Sequence, residues 1–105
     1  MDMDSILKRA QEFQHQMSKK QEELAGRTVT SSVGGGMVTV VVNGKFEVVS
    51  LRIEKEAIDP NDPAMLQDLV VSAVNDAMRK VKEMTQSELA RLTGGLGLNL
   101  PGMFG

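Results

Sequence analysis

The chain has no cysteine, tryptophan or tyrosine, and only three phenylalanines and three prolines among its 105 residues. The missing cysteine excludes a disulfide framework, a thiolate metal site and a thiol nucleophile, and fits a reducing compartment. Scarce aromatics leave few platforms on which unpaired bases could stack, so single-strand and RNA-loop readers are poorly matched. No apolar run approaches the roughly 20 residues of a membrane span, and MDMDSILKRA lacks signal-peptide architecture. A cytoplasmic protein is expected. Internal repeats are absent too. His15 is the single histidine, set between Gln14 and Gln16 on a polar stretch, and reads as a surface residue. No nucleophile–base pairing or metal-ligand spacing stands out. Asp59, Asp62 and Asp68 are adequately explained as caps and connector residues. A non-enzyme without cofactor or metal is expected.

What remains is 41% apolar and 25% charged, enough for one small packed domain. Net charge is −2, unpromising for a polyanion ligand until its distribution is considered. Between Glu54 and Asp68 five carboxylates stand against Lys55, a net of −4, which leaves +2 for the rest.

The organising stretch is Gly34–Ile53, where two β-branched runs flank Asn43-Gly44. Such a pair signals a β-hairpin with a type I′ turn, because asparagine and glycine tolerate φ > 0. A two-residue turn would oppose Val42 to Lys45, Val41 to Phe46, Val40 to Glu47, Thr39 to Val48 and Val38 to Val49. Both faces of that sheet would carry apolar groups, one for the chain's own helices and one for a second copy. Arg27–Val33 reads as a preceding strand, turned back by Gly34-Gly35-Gly36. A phosphate-cradling loop would instead require a helix directly after the glycines.

Asp2 to about Ala25 reads as a helix capped by Asp4 or Ser5 and closed by Gly26. Met3, Ile6, Ala10, Phe13, Met17 and Leu24 keep heptad spacing, with Lys20 at the polar seam position. Asp62-Pro63 suits the start of a second helix running to about Leu92. Its first half is rich in apolar residues and fits the sheet; its second half is mostly polar. Both helices thus have an under-anchored polar half. Residues 1–92 form the expected domain and 93–105 a flexible glycine-rich tail.

The order helix, three-stranded antiparallel meander, long helix carries distinctive motifs. They are Gly34-Gly35-Gly36-Met37-Val38 leading to Val42-Asn43-Gly44, then Met65-Leu66-Gln67-Asp68-Leu69-Val70, then Ala73-Val74-Asn75-Asp76-Ala77. The Gly97–Phe104 ending adds to them. Over nearly its whole length the chain resembles the YbaB/EbfC family of bacterial nucleoid-associated proteins. The resemblance implies an α+β homodimer, intertwined or sheet-paired, whose helices project as arms. It also implies duplex DNA binding with little sequence preference, in the nucleoid, with effects on DNA conformation, gene regulation or DNA protection. Family genes often neighbour recombination and replication factors, so an interaction module for that machinery is the alternative function. Steep weakening by salt would mark the first and not the second. The candidate phosphate contacts are Lys8, Arg9, Lys19 and Lys20 on the first helix and Arg79, Lys80, Lys82 and Arg91 on the second. The competing explanation is solvated helix faces paired with Glu12, Glu22, Glu23, Glu83 and Glu88.

Overall fold

The structure, a computed structural model, describes residues 2–95. Helix α1 (Met3–Ala25) leads into strands β1 (Thr28–Val33), β2 (Val38–Asn43) and β3 (Val48–Ile53), then a 3₁₀ turn at Lys55–Ala57 and helix α2 (Pro63–Gly95). The strands form one antiparallel sheet in the order β1-β2-β3. The expected meander between two helices is thus the observed architecture.

Local chemistry explains the element ends. Asp2, not Asp4 or Ser5, caps α1, its Oδ1 accepting from the Ser5 N–H at 2.8 Å. Asp62 Oδ1 accepts from the Met65 N–H at 3.3 Å, and Pro63 opens α2 where its missing N–H costs nothing. Gly34, Gly35 and Gly36 all have positive φ, as the turn between β1 and β2 requires. Helix α2 continues past Leu92 to Gly95, and Thr93 is buried with its hydroxyl on the Leu89 and Ala90 carbonyls. The remaining tail residues expected to be flexible lie outside the described residues.

The β2–β3 connection departs from the two-residue turn. Strand β3 starts only at Val48, and Gly44–Glu47 form the loop. Asn43 organises it: its side-chain oxygen accepts from the N–H groups of Lys45 (2.9 Å) and Glu47 (3.2 Å), a turn built by the side chain itself. Phe46, at φ 63°, takes the left-handed position expected of Gly44. Gly44 is needed for a different reason. A Cβ there would lie 1.9 Å from the Leu24 carbonyl oxygen, and its N–H donates to the Arg27 carbonyl at 3.0 Å. The hairpin tip therefore sits directly against the end of α1.

This longer loop resets the register. Val42 opposes Val48, Val41 opposes Ser50, Val40 opposes Leu51, Thr39 opposes Arg52 and Val38 opposes Ile53, with an irregularity between Val41 and Val42. Val38, Val40 and Val42 are fully buried under Ala73, Ala77 and Val81 of α2. Burying each of those valines contributes about 1.5–3 kcal/mol. The opposite face presents Thr28, Thr30, Ser32, Thr39, Val41, Ser50 and Arg52, so it is rich in hydroxyls rather than apolar. The expectation of a sheet apolar on both faces fails because the longer loop takes Phe46 off the outward face and the irregularity brings Val48 opposite buried Val42. The uncovered apolar surface is instead on the α2 side. Helix α2 packs on β1 and β2, leaving Val48 and Leu51 of β3 exposed.

Beyond the sheet α2 continues beside α1, which runs the opposite way, as the Lys20–Glu88 contact of 2.9 Å shows. The molecule is 71 Å long and only 24 × 16 Å across, with a sheet body and a two-helix arm.

Candidate nucleic-acid interface

The arm leaves the sheet at the end where Leu24 meets Gly44. The acidic connector lies at the opposite end of the strands, because β3 ends beside the β1–β2 turn, with Glu54 N donating to the Met37 carbonyl at 2.8 Å. Distance along the molecule thus separates the Glu54–Asp68 carboxylates from the arm. An acidic chain can present a less negative end to a polyanion in this way.

The eight candidate cations divide into two groups. Arg79 and Lys80 both reach Asp76, Lys80 at 3.3 Å. Lys20 and Arg91 both reach Glu88, at 2.9 and 3.4 Å, and Arg27 joins them at 3.2 Å. Lys8, Arg9, Lys19 and Lys82 are exposed and make no ion pair among the described residues. Lys45, which sequence reasoning left out, is in the same position on the hairpin loop. Only its placement at the arm's base in three dimensions draws attention to it. The Arg79-Lys80-Val81-Lys82 run is split three ways: two residues are tied, Val81 is fully buried and Lys82 is left to solvent.

The tied cations hold the fold together. Asp76 accepts from the buried Ser31 hydroxyl at 2.6 Å, and Lys80 also donates to the Thr30 carbonyl at 3.3 Å. This cluster pins α2 to the edge strand β1. The Ser31 hydrogen bond, followed by that from Arg79, lowers the Asp76 carboxyl to a pKa of about 2. Glu88 is held below its usual range by Lys20 first and Arg27 second, fastening α1 to α2 at the arm's base. For Asp76 the folded pKa lies below the unfolded value near 3.8. Its contribution to stability is therefore complete above that value and lost as pH falls toward 2. Thermal unfolding should show an Asp76→Asn variant melting lower at pH 6, with a smaller further fall between pH 4 and pH 2 than the wild type.

His15 is exposed on α1 beside Lys8, Gln11, Glu12 and Gln16, which line a shallow open depression. Among the described residues no group of three or more histidine, aspartate or glutamate side chains is placed to hold a metal ion. No described helix is long and apolar enough to cross a membrane.

Comparison with known proteins fits this geometry. A nucleoid-associated protein of Ruminiclostridium cellulolyticum is 48% identical over 103 residues, covering 98% of this chain and 89% of its own. One from Syntrophobacter fumaroxidans is 52% identical over 95 residues, covering 88% and 86%. The crystal structure of an uncharacterized protein from Helicobacter pylori superimposes with a TM-score of 0.78 at 28% identity, over 88% of this chain and 97% of that one. The model of the YbaB/EbfC DNA-binding family matches residues 1–96, the sheet and the whole described arm together. With that span, and with relatives about half identical along their length, the chain belongs to the YbaB/EbfC DNA-binding family.

Proposed function

We propose that this chain is a nucleoid-associated protein that binds duplex DNA as a homodimer, with little sequence preference, through its helical arms. The observation that carries this reading is the set Lys8, Arg9, Lys19 and Lys82. These are four exposed cations without an ion-pair partner among the described residues, three on α1 and Lys82 where α2 leaves the sheet, away from the acidic connector. Lysine and arginine in that state neutralise phosphates and release counterions, a contribution indifferent to base sequence. The family membership and the names of the relatives support DNA as the ligand. Nucleoid is then the expected location, and two arms on one duplex would constrain its path.

The dimer rests on the groove beside α2. Val48 and Leu51 are 47% and 45% exposed. Val74 and Met78 of α2 are half-buried and Val71 is exposed. At 3.6 residues per turn these three lie on the flank of α2 opposite Asp76 and Lys80, hence toward β3. An apolar groove of this kind, beside an open strand edge, suits a second copy related by a two-fold axis. Light scattering should give the mass of a dimer, and Leu51→Asp that of a monomer with an intact fold. Duplex affinity of that monomer should fall at least about tenfold, because one arm then replaces two. A monomeric wild type that binds duplex equally well would overturn the reading.

A further inference from the structure

Glu88 is the meeting point of cations from three places in the chain. Lys20, in the last turns of α1, lies 2.9 Å from one carboxylate oxygen. Arg27, at the junction of α1 with β1, and Arg91, one turn further along α2, lie 3.2 and 3.4 Å from the other. The carboxylate is the inner member, its side chain 13% exposed, while those of Arg27 and Arg91 are 46% and 76% exposed. Among the described residues neither arginine side chain has a second ion-pair partner, so most of each guanidinium's N–H donors are unused. Lys45 is close by, because the Gly44 N–H donates to the Arg27 carbonyl at 3.0 Å. Two more carboxylates stand near, with other partners: Glu23 reaches Lys20 at 3.4 Å, and Glu47 accepts from the Asn43 side chain at 3.1 Å. The Asp76 cluster is built differently. Its carboxylate also takes the buried Ser31 hydroxyl, and Lys80 is engaged again by the Thr30 carbonyl. There the cations are used up in the fold, whereas at Glu88 one carboxylate holds three.

We propose that Arg27 and Arg91 form a second phosphate site for duplex DNA at the base of the arm, held closed by Glu88 in the free protein. This site rests on the reading of the chain as a duplex binder. Guanidinium forks fit carboxylate and phosphate alike. Both arginines end on the same oxygen of Glu88, so one anion can meet the two together. On binding they leave Glu88 for a backbone phosphate, while half-buried Lys20 stays on the carboxylate and keeps α1 fastened to α2. The site lies at the end of the strands where the arm begins, away from the acidic connector. Exposed Lys45 extends it across the hairpin tip. Glu88 thus competes with DNA for its own neighbours, and its charge holds the duplex affinity down.

Anisotropy titrations of a labelled duplex with the full chain test this through Glu88→Gln. At low salt the variant should bind about tenfold tighter than the wild type, with a log–log salt slope steeper by about 1 for each site engaged. Its urea midpoint should fall, since Lys20 also loses its partner, so a better-folded protein cannot explain the gain. Glu22→Gln removes the same charge from an exposed α1 side chain that makes no ion pair among the described residues. It should tighten binding by less than about twofold. Added to Arg27→Ala/Arg91→Ala, the Glu88→Gln change should likewise bring less than about twofold, because its effect acts through those arginines. Three results would overturn the site: no gain from Glu88→Gln, an equal gain from Glu22→Gln, or a gain that survives the loss of both arginines. Each leaves duplex binding by the wild type intact. A wild type that binds no duplex removes the underlying reading and this site with it.

Discussion

Replacing Gly44 with valine is expected to destabilise the protein by at least about 3 kcal/mol, seen as a large drop in the urea midpoint. A Cβ at this position would stand 1.9 Å from the Leu24 carbonyl oxygen and 2.5 Å from its carbon. Both atoms are backbone, so no side-chain rotation relieves the clash. The hairpin tip or the end of α1 must move. Either movement breaks the Gly44 N–H to Arg27 carbonyl bond, and the second also disturbs buried Leu24. Small domains have only about 5–15 kcal/mol of stability, so the loss is a large fraction of it. Gly35→Ala provides the contrast. Its Cβ meets nothing within 4 Å, though φ is +68°, so the cost should be about 1–2 kcal/mol from the left-handed backbone alone. Equal effects at the two positions would show that close approach to α1 is not what Gly44 supplies.

The second large effect concerns the ligand. Converting Lys8, Arg9, Lys19 and Lys82 together to alanine should weaken duplex binding about 100-fold or more at low salt, with the unfolding midpoint nearly unchanged. Converting Arg79 and Lys80 should do the reverse. These two are engaged by Asp76, and Lys80 also holds the Thr30 carbonyl of the edge strand. Their loss should lower the unfolding midpoint and change duplex affinity by less than about threefold, since a cation already paired within the protein releases few counterions from DNA. Fluorescence anisotropy and thermal melting on both variants separate the two roles. If the Arg79/Lys80 variant lost DNA and the other kept it, the assignment of the arm cations would be inverted.

The elements themselves were legible in the sequence because each has its own local signal. The Asp62-Pro63 start of α2, the triple-glycine turn and the β-branched strands all stand where those signals put them. The hairpin register was not read correctly, and the cause is specific. Asn43-Gly44 signals a turn with two left-handed residues. Gly44 instead answers a steric demand from Leu24, a residue twenty positions away, and Phe46 takes the positive φ. One signal pointed the right way: a two-residue turn sets Glu47 opposite Val40 and leaves Leu51 and Ile53 opposite Gly36 and Gly34, whereas the observed register gives Val40 and Val38 the apolar partners Leu51 and Ile53. The division of the arm cations was hidden for a similar reason. Local spacing gives Asp76 to Arg79 and Lys80. That Asp76 also holds Ser31, 45 residues earlier, is visible only once the sheet is folded.

If the exposed cations hold the phosphate backbone, duplex binding must weaken steeply as salt rises. Anisotropy titrations of one labelled duplex from low to physiological salt should give a log–log slope of about −4 to −7 for a dimer using most of its arm cations. The Lys8/Arg9/Lys19/Lys82→Ala variant should show a much flatter slope. A wild-type slope near zero, or one that the four alanines leave unchanged, would contradict the claim.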